Sequence, residues 1–216
     1  MKKVNAEGII FDMDGLLIDS ERIINSAVVK AGHQMGLADI ENVSLLTIGT
    51  SNQRTREIYA EHYGQMDFDL LMELKHKYID EIIGNSGFPA KKGVYELLES
   101  VTRKGYKIAL GSSTREAAVR EFLGKLNILR YFDILVCGDM GFKSKPCPDI
   151  FLACAEKMGI EPCRCAVLED SPNGIKAAYA AGMIPIMVPD MIAPTEEIMP
   201  MVYSVCASLT EADMLF

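Results

Sequence analysis

Asp12 and Asp14 stand two residues apart at the end of an apolar run, residues 7–11, and are followed by Gly15. Three later clusters share that placement. Ser112, Ser113 and Thr114 follow residues 107–111. Lys143, Ser144 and Lys145 lie beyond residues 132–138, and Glu169, Asp170 and Ser171 close residues 165–169. Gathered carboxylates repel one another and are tolerated mainly when a cation sits among them. Oxygen ligands with no His or Cys nearby suit Mg²⁺ better than zinc. Mg²⁺ held by one or two carboxylates commonly shares its shell with phosphate oxygens and water. Ser112 can donate a hydroxyl hydrogen to a phosphate oxygen, helped by backbone N–H groups opening the following helix. Lys145 offers a point charge for the same anion and can hold a carboxylate ionised. A carboxylate that attacks phosphorus forms an aspartyl-phosphate. A second carboxylate two residues on can protonate the leaving oxygen and then activate water.

Each cluster also has a plain structural reading. Asp12 and Asp14 can be a cap and a turn former, and Ser112–Thr114 the cap of the next helix. The stretch 145–149 can be a turn before a helix, and Glu169-Asp170-Ser171-Pro172 a strand end and cap. All four occurring in order, each behind a strand, is what favours chemistry. Ligands of open α/β sheets bind beyond the carboxyl ends of the strands.

The elements that would position these clusters follow from periodicity. Residues 7–11 read as a buried strand. Residues 20–83 are largely helical, with Ile23, Ile24, Ala27 and Val28, then Leu70, Leu71, Leu74, Tyr78 and Ile82, at helical spacing. The loop 48–53 breaks this region, and 84–89 closes it. Beyond residue 89 helices alternate with strands: helices at 92–104, 115–126, 148–158 and 172–181, strands at 107–111, 132–138, 165–169 and 184–188. A short strand near 202–206 and a short helix finish the chain. Such alternation implies right-handed crossovers and a parallel sheet. The expected fold is α/β: a Rossmann-like, mainly parallel sheet flanked by helices, with an inserted α-helical cap. Residues 1–16 and 89–216 form the catalytic core and 17–88 the cap.

Composition narrows the partners. The chain has 216 residues, 49% apolar and 24% charged, with a net charge of −8, which fits a folded globular chain and excludes extended disorder. The acidic balance speaks against nucleic acid or an anionic membrane as partner. No apolar run is long enough to span a bilayer. The apolar stretch after the basic start is cut by Asp12 and Asp14, unlike a signal peptide. The six cysteines form no CxxC pair, and all three histidines fall before residue 80. Reduced thiols in a cytoplasmic protein are therefore expected, with a monomer as default. Residues 20–88 hold 6 basic and 10 acidic side chains; the remainder holds 16 and 20. Much of the core's excess acid is thus the strand-end cluster, charge that Mg²⁺ would offset.

The motifs Phe11-Asp12-Met13-Asp14-Gly15, Gly111-Ser112-Ser113, Lys145-Pro146-Cys147-Pro148-Asp149 and Leu168-Glu169-Asp170-Ser171 resemble the four ordered motifs of the haloacid dehalogenase (HAD) superfamily. The stretch from Asp170 to Ala178, running on to Met183, is similar to its phosphatase and β-phosphoglucomutase branch. The resemblance implies a Mg²⁺-dependent phosphatase acting on a small phosphorylated metabolite. Asp12 would be nucleophile and metal ligand. Asp14 would be general acid/base and ligate through its backbone carbonyl. Ser112 would bind the phosphoryl group, with backbone contact from Ser113. Lys145 would neutralise nucleophile and phosphate, Asp170 would ligate the metal, and Glu169 would do so directly or through water. True dehalogenases of the superfamily lack the second aspartate, which Asp14 supplies here. β-Phosphoglucomutases carry a His early in the first cap helix, where this chain has Ile24. A phosphomutase is therefore the first alternative, and a phospho-accepting or binding protein without catalysis the second. Glu21, Ser51, Asn52 and Arg54 are the candidate specificity residues of the cap. Arg54 is suited to a second anionic group, or equally to a solvated helix start.

Overall fold

The computed structural model describes residues 3–50 and 52–216. Six strands form one sheet: β1 (Gly8–Phe11), β2 (Lys107–Gly111), β3 (Ile134–Val136), β4 (Cys165–Glu169), β5 (Ile184–Met187) and β6 (Ser204–Val205). They run in the order β3-β2-β1-β4-β5-β6, and every neighbouring pair is parallel. The α/β, Rossmann-like expectation therefore holds. The strands are near-continuous apolar runs because helices cover both faces of a parallel sheet.

The chain divides into two compact units, Met1–Asp19 with Pro89–Phe216, and Ser20–Phe88. The first junction lies after Asp19 rather than after residue 16, because Ile18 is bridged to Asp14 and to Ala90. The smaller unit is helical: α1 (Ser20–Gln34), α2 (Ile40–Leu45), α3 (Asn52–Tyr63) and α4 (Phe68–Ile83). Its own core is built from Ala27, Ala31, Ile40, Val43, Tyr59 and Leu71. At Gly32 a Cβ would lie 2.3 Å from Ile40 Cγ1, so glycine permits the close approach of α1 and α2. Asp67 caps α4, its side chain accepting from the Leu70 N–H at 2.9 Å.

The larger unit carries α5 (Val94–Arg103), α6 (Glu116–Lys125), α7 (Asp149–Met158), α8 (Pro172–Ala180) and α9 (Leu209–Asp213). Ile10, Ala109, Val136 and Val167 pack with Ile150, Phe151 and Cys154 of α7 and Ala177 and Ala178 of α8. Side chains alternate along a strand, so Ile9 and Phe11, also fully buried, face the other side. There Phe11 meets Phe132 edge-on at 5.9 Å. β3 is shorter than the expected 132–138. It follows a 3₁₀ turn at Leu129–Tyr131, and beyond Val136 the backbone leaves the sheet, the Gly138 N–H donating to the Thr114 carbonyl at 3.0 Å.

Candidate active site

The parallel register brings the strand-end clusters together. Phe11 lies opposite both Leu110 and Leu168, so Asp12 emerges beside Gly111 and Glu169. Asp12 extends the ladder by one residue, its N–H donating to the Leu168 carbonyl at 3.1 Å. Ser112 does the same at β3, donating to the Val136 carbonyl at 3.0 Å. Asp12, Ser112, Glu169 and Asp170 are each buried. Carboxylate oxygens of Asp12, Glu169 and Asp170 all lie within 4.8 Å of one another.

Lys145 is drawn into this group from the segment before α7. Its Nζ donates to Glu169 Oε1 at 2.7 Å, to the Gly111 carbonyl at 3.1 Å and to Asp12 Oδ1. It also lies 4.7 Å from the Phe151 ring centroid. Burial works against the ammonium's charge, but Asp12 and Glu169 outweigh it and hold its pKa above the usual lysine value. Burial pushes the Asp12 carboxyl well above the usual carboxylate range; Lys145 opposes this, and Glu169 and Asp14 add to it. One ammonium thus does not offset the desolvated acids, and an all-oxygen donor set with room for more positive charge fits Mg²⁺.

The remaining hydrogen bonds fix orientation. Glu169 Oε2 accepts from both the N–H and the hydroxyl of Ser171, each at 2.9 Å. Ser171 Oγ in turn accepts from the Gly174 N–H at 3.1 Å, capping α8. At Gly174 a Cβ would lie 1.8 Å from Glu169 Cδ, so only glycine lets α8 start against the carboxylate. Asp14 is half-buried and accepts from Thr114 Oγ1 at 2.7 Å. The Thr114 N–H donates to Ser112 Oγ at 3.0 Å, so the serine hydroxyl can turn its own hydrogen toward an anion. The side chain of Ser113 is exposed, and its role here is the backbone of that loop.

Asp12, Asp14, Ser112, Ser113, Lys145, Glu169 and Asp170 thus share the carboxyl edge of one sheet. The remaining candidates belong to the smaller unit. Glu21 lies in the first turn of α1. Arg54, in α3, is half-exposed and ion-paired with Glu57 at 3.2 Å and Glu61 at 2.8 Å. Ser51 and the side chain of Asn52 lie outside the described residues. Thr114 and Ser171, read from the sequence as caps, and Gly174 also hold the site's carboxylates in place. Their residue types suggested turns and caps, whereas Thr114's partner lies 100 residues away.

The family described as haloacid dehalogenase-like hydrolase matches residues 9–188. A phosphorylated carbohydrates phosphatase of Thermotoga maritima is 31% identical over 182 residues, 82% of each chain. A fructose-1-phosphate phosphatase of Escherichia coli K12 is 31% identical over 177 residues, 82% of this chain and 93% of that one. Among solved structures, a β-phosphoglucomutase of Clostridium difficile superposes with a TM-score of 0.71 at 25% identity, covering 94% of this chain and 92% of that one.

Proposed function

The chain belongs to the haloacid dehalogenase-like hydrolase family, and on that footing we propose that it is a Mg²⁺-dependent phosphatase of phosphorylated sugars. The observation that carries this reading is the Lys145 ammonium bound to both Asp12 and Glu169 inside a buried acidic cluster. The substrate class follows three of the curated relatives, named phosphorylated carbohydrates phosphatase, fructose-1-phosphate phosphatase and hexitol phosphatase.

Asp12 and Asp170 would hold the ion, with the Asp14 backbone carbonyl. Glu169, whose oxygens accept from Lys145 and Ser171, would add charge, hold Lys145 and bind the ion directly or through water. When bound, Mg²⁺ neutralises charge on the carboxylates and the phosphoryl oxygens. An Asp12 oxygen attacks phosphorus; the bond from phosphorus to the ester oxygen breaks, and Asp14 gives that oxygen its proton. Asp14, now ionised, takes a proton from water as the water oxygen attacks the aspartyl-phosphate. The bond from phosphorus to Asp12 breaks, inorganic phosphate leaves, and both aspartates regain their starting states. Ser112 donates to a phosphoryl oxygen, and Lys145 balances its negative charge.

Hydrolysis of fructose 1-phosphate, hexitol phosphates and other sugar phosphates, with and without Mg²⁺, tests this. The expected result is turnover that EDTA abolishes and that Asp12→Asn lacks. Absence of hydrolysis of any phosphate ester with any divalent cation would overturn it. The likeness to a β-phosphoglucomutase favours one second reading, a phosphomutase. Against it, Ile24 packs on the core of the helical unit and supplies no acid–base group. Conversion of β-glucose 1-phosphate to the 6-phosphate would decide for the mutase.

A further inference from the structure

We infer that Thr114 is a positioning residue for the acid–base chemistry of Asp14, coupling that carboxylate to the phosphate-binding serine. The inference rests on the phosphatase reading and deepens it. Thr114 Oγ1 donates to Asp14 Oδ2 at 2.7 Å, while the Thr114 N–H donates to Ser112 Oγ at 3.0 Å. One residue thus sets the direction of two groups that must meet opposite sides of the reaction, the leaving oxygen and the phosphoryl oxygens.

Its own geometry is unusually determined. The Thr114 carbonyl accepts from the Gly138 N–H at 3.0 Å. A Cβ on Gly138 would lie 1.9 Å from the Ser113 carbonyl oxygen, so glycine alone allows the two loops to lie this close. Asp139 Oδ1 accepts from the Glu116 N–H at 3.0 Å, tying the same loop to the start of α6. With the backbone held, the branched side chain has few χ1 choices, and the hydroxyl is aimed rather than free to swing. A carboxyl group that must meet a leaving oxygen within hydrogen-bond reach gains from such fixing.

The consequence concerns leaving groups. 4-Nitrophenolate departs with little need of a proton, whereas phenolate and alkoxides need one. If Thr114 positions the acid, its hydroxyl matters most for the poorer leaving group. We expect Thr114→Val to lower kcat/KM for phenyl phosphate at least ~10-fold more than for 4-nitrophenyl phosphate, a part of the full general-acid effect. Thr114→Ser, which keeps the hydroxyl, should hold the wild-type ratio between the two esters. Thermal midpoints and Mg²⁺ titration calorimetry run alongside should stay near wild type; should the valine variant not fold, Thr114→Ala carries the same expectation. Equal losses on both esters, no loss, or a serine variant that behaves like valine would each overturn the role of Thr114 while leaving the phosphatase reading intact. A wild-type protein that hydrolyses neither ester with Mg²⁺ would instead overturn the phosphatase reading, and this inference with it.

Discussion

Lys145 Nζ and Glu169 Oε1 lie 2.7 Å apart, with side chains only 8% and 1% exposed. Water does not screen this pair, so its energetics follow those of buried ions. The attraction is large, but so is the cost of desolvation, and removing one partner is far worse than removing both. Lys145→Met leaves Asp12 and Glu169 buried without their ammonium. Urea unfolding in EDTA should show a loss of about 3–5 kcal/mol. Adding Glu169→Gln should recover part of that loss, a non-additivity expected of groups in contact. Additive losses would mean that the two side chains do not depend on one another.

Mg²⁺ should stabilise the folded chain by mass action. At a hundredfold excess over its Kd the gain is about 2.7 kcal/mol, or roughly 5–10 °C in thermal midpoint for a chain of this size. Asp170→Asn should remove most of that shift while leaving the metal-free midpoint within a few degrees of wild type. A variant that still responds fully to Mg²⁺ would take Asp170 out of the metal site.

Gly174→Ala introduces a methyl group where Glu169 Cδ would stand 1.8 Å away. The carboxylate must shift, and with it Lys145 and the cap from Ser171. Overpacking of this kind costs about 1–3 kcal/mol. The expected variant is folded by circular dichroism, moderately destabilised, and at least tenfold slower in turnover by the scale of misplaced catalytic groups. Full activity would show that Glu169 has slack that its hydrogen bonds do not suggest.

The thiols should separate by burial. Cys163 is exposed and Cys147 half-buried, whereas Cys137, Cys154, Cys165 and Cys206 are buried. Burial pushes the Cys137 and Cys165 thiols up to about 11 and Cys154 up to about 12. Thiolate is the reactive form, so at pH 8 these groups are both shielded and protonated. A disulfide-exchange reagent should titrate Cys163 first and Cys147 more slowly, and reach all six cysteines only in denaturant. Rapid reaction of Cys154 in the native protein would contradict the packing of α7 on the sheet.

The sequence alone determined the strands, their polar ends and a largely helical block over residues 20–83, while the unit boundary after Asp19 came from the structure. These depend on periodicities and turn residues that act over a few positions. It also carried the residue types of the site, because oxygen ligands, a hydroxyl and a lysine behind successive strands have chemical meaning before any fold is known. Tertiary structure alone decided which of them touch. The sheet order places β1 between β2 and β4, which sets Asp12 beside Glu169. Lys145 reaches an aspartate 133 residues away, and Thr114 reaches one 100 residues away. It also shortened β3, since pairing with β2 spans only Ile134–Val136, and engaged Arg54 with Glu57 and Glu61 on its own helix. The physical reason is range: propensity and patterning act locally, whereas parallel pairing joins strands through long crossovers. A side chain's partner is then fixed by register and packing across the sheet, which no local pattern encodes.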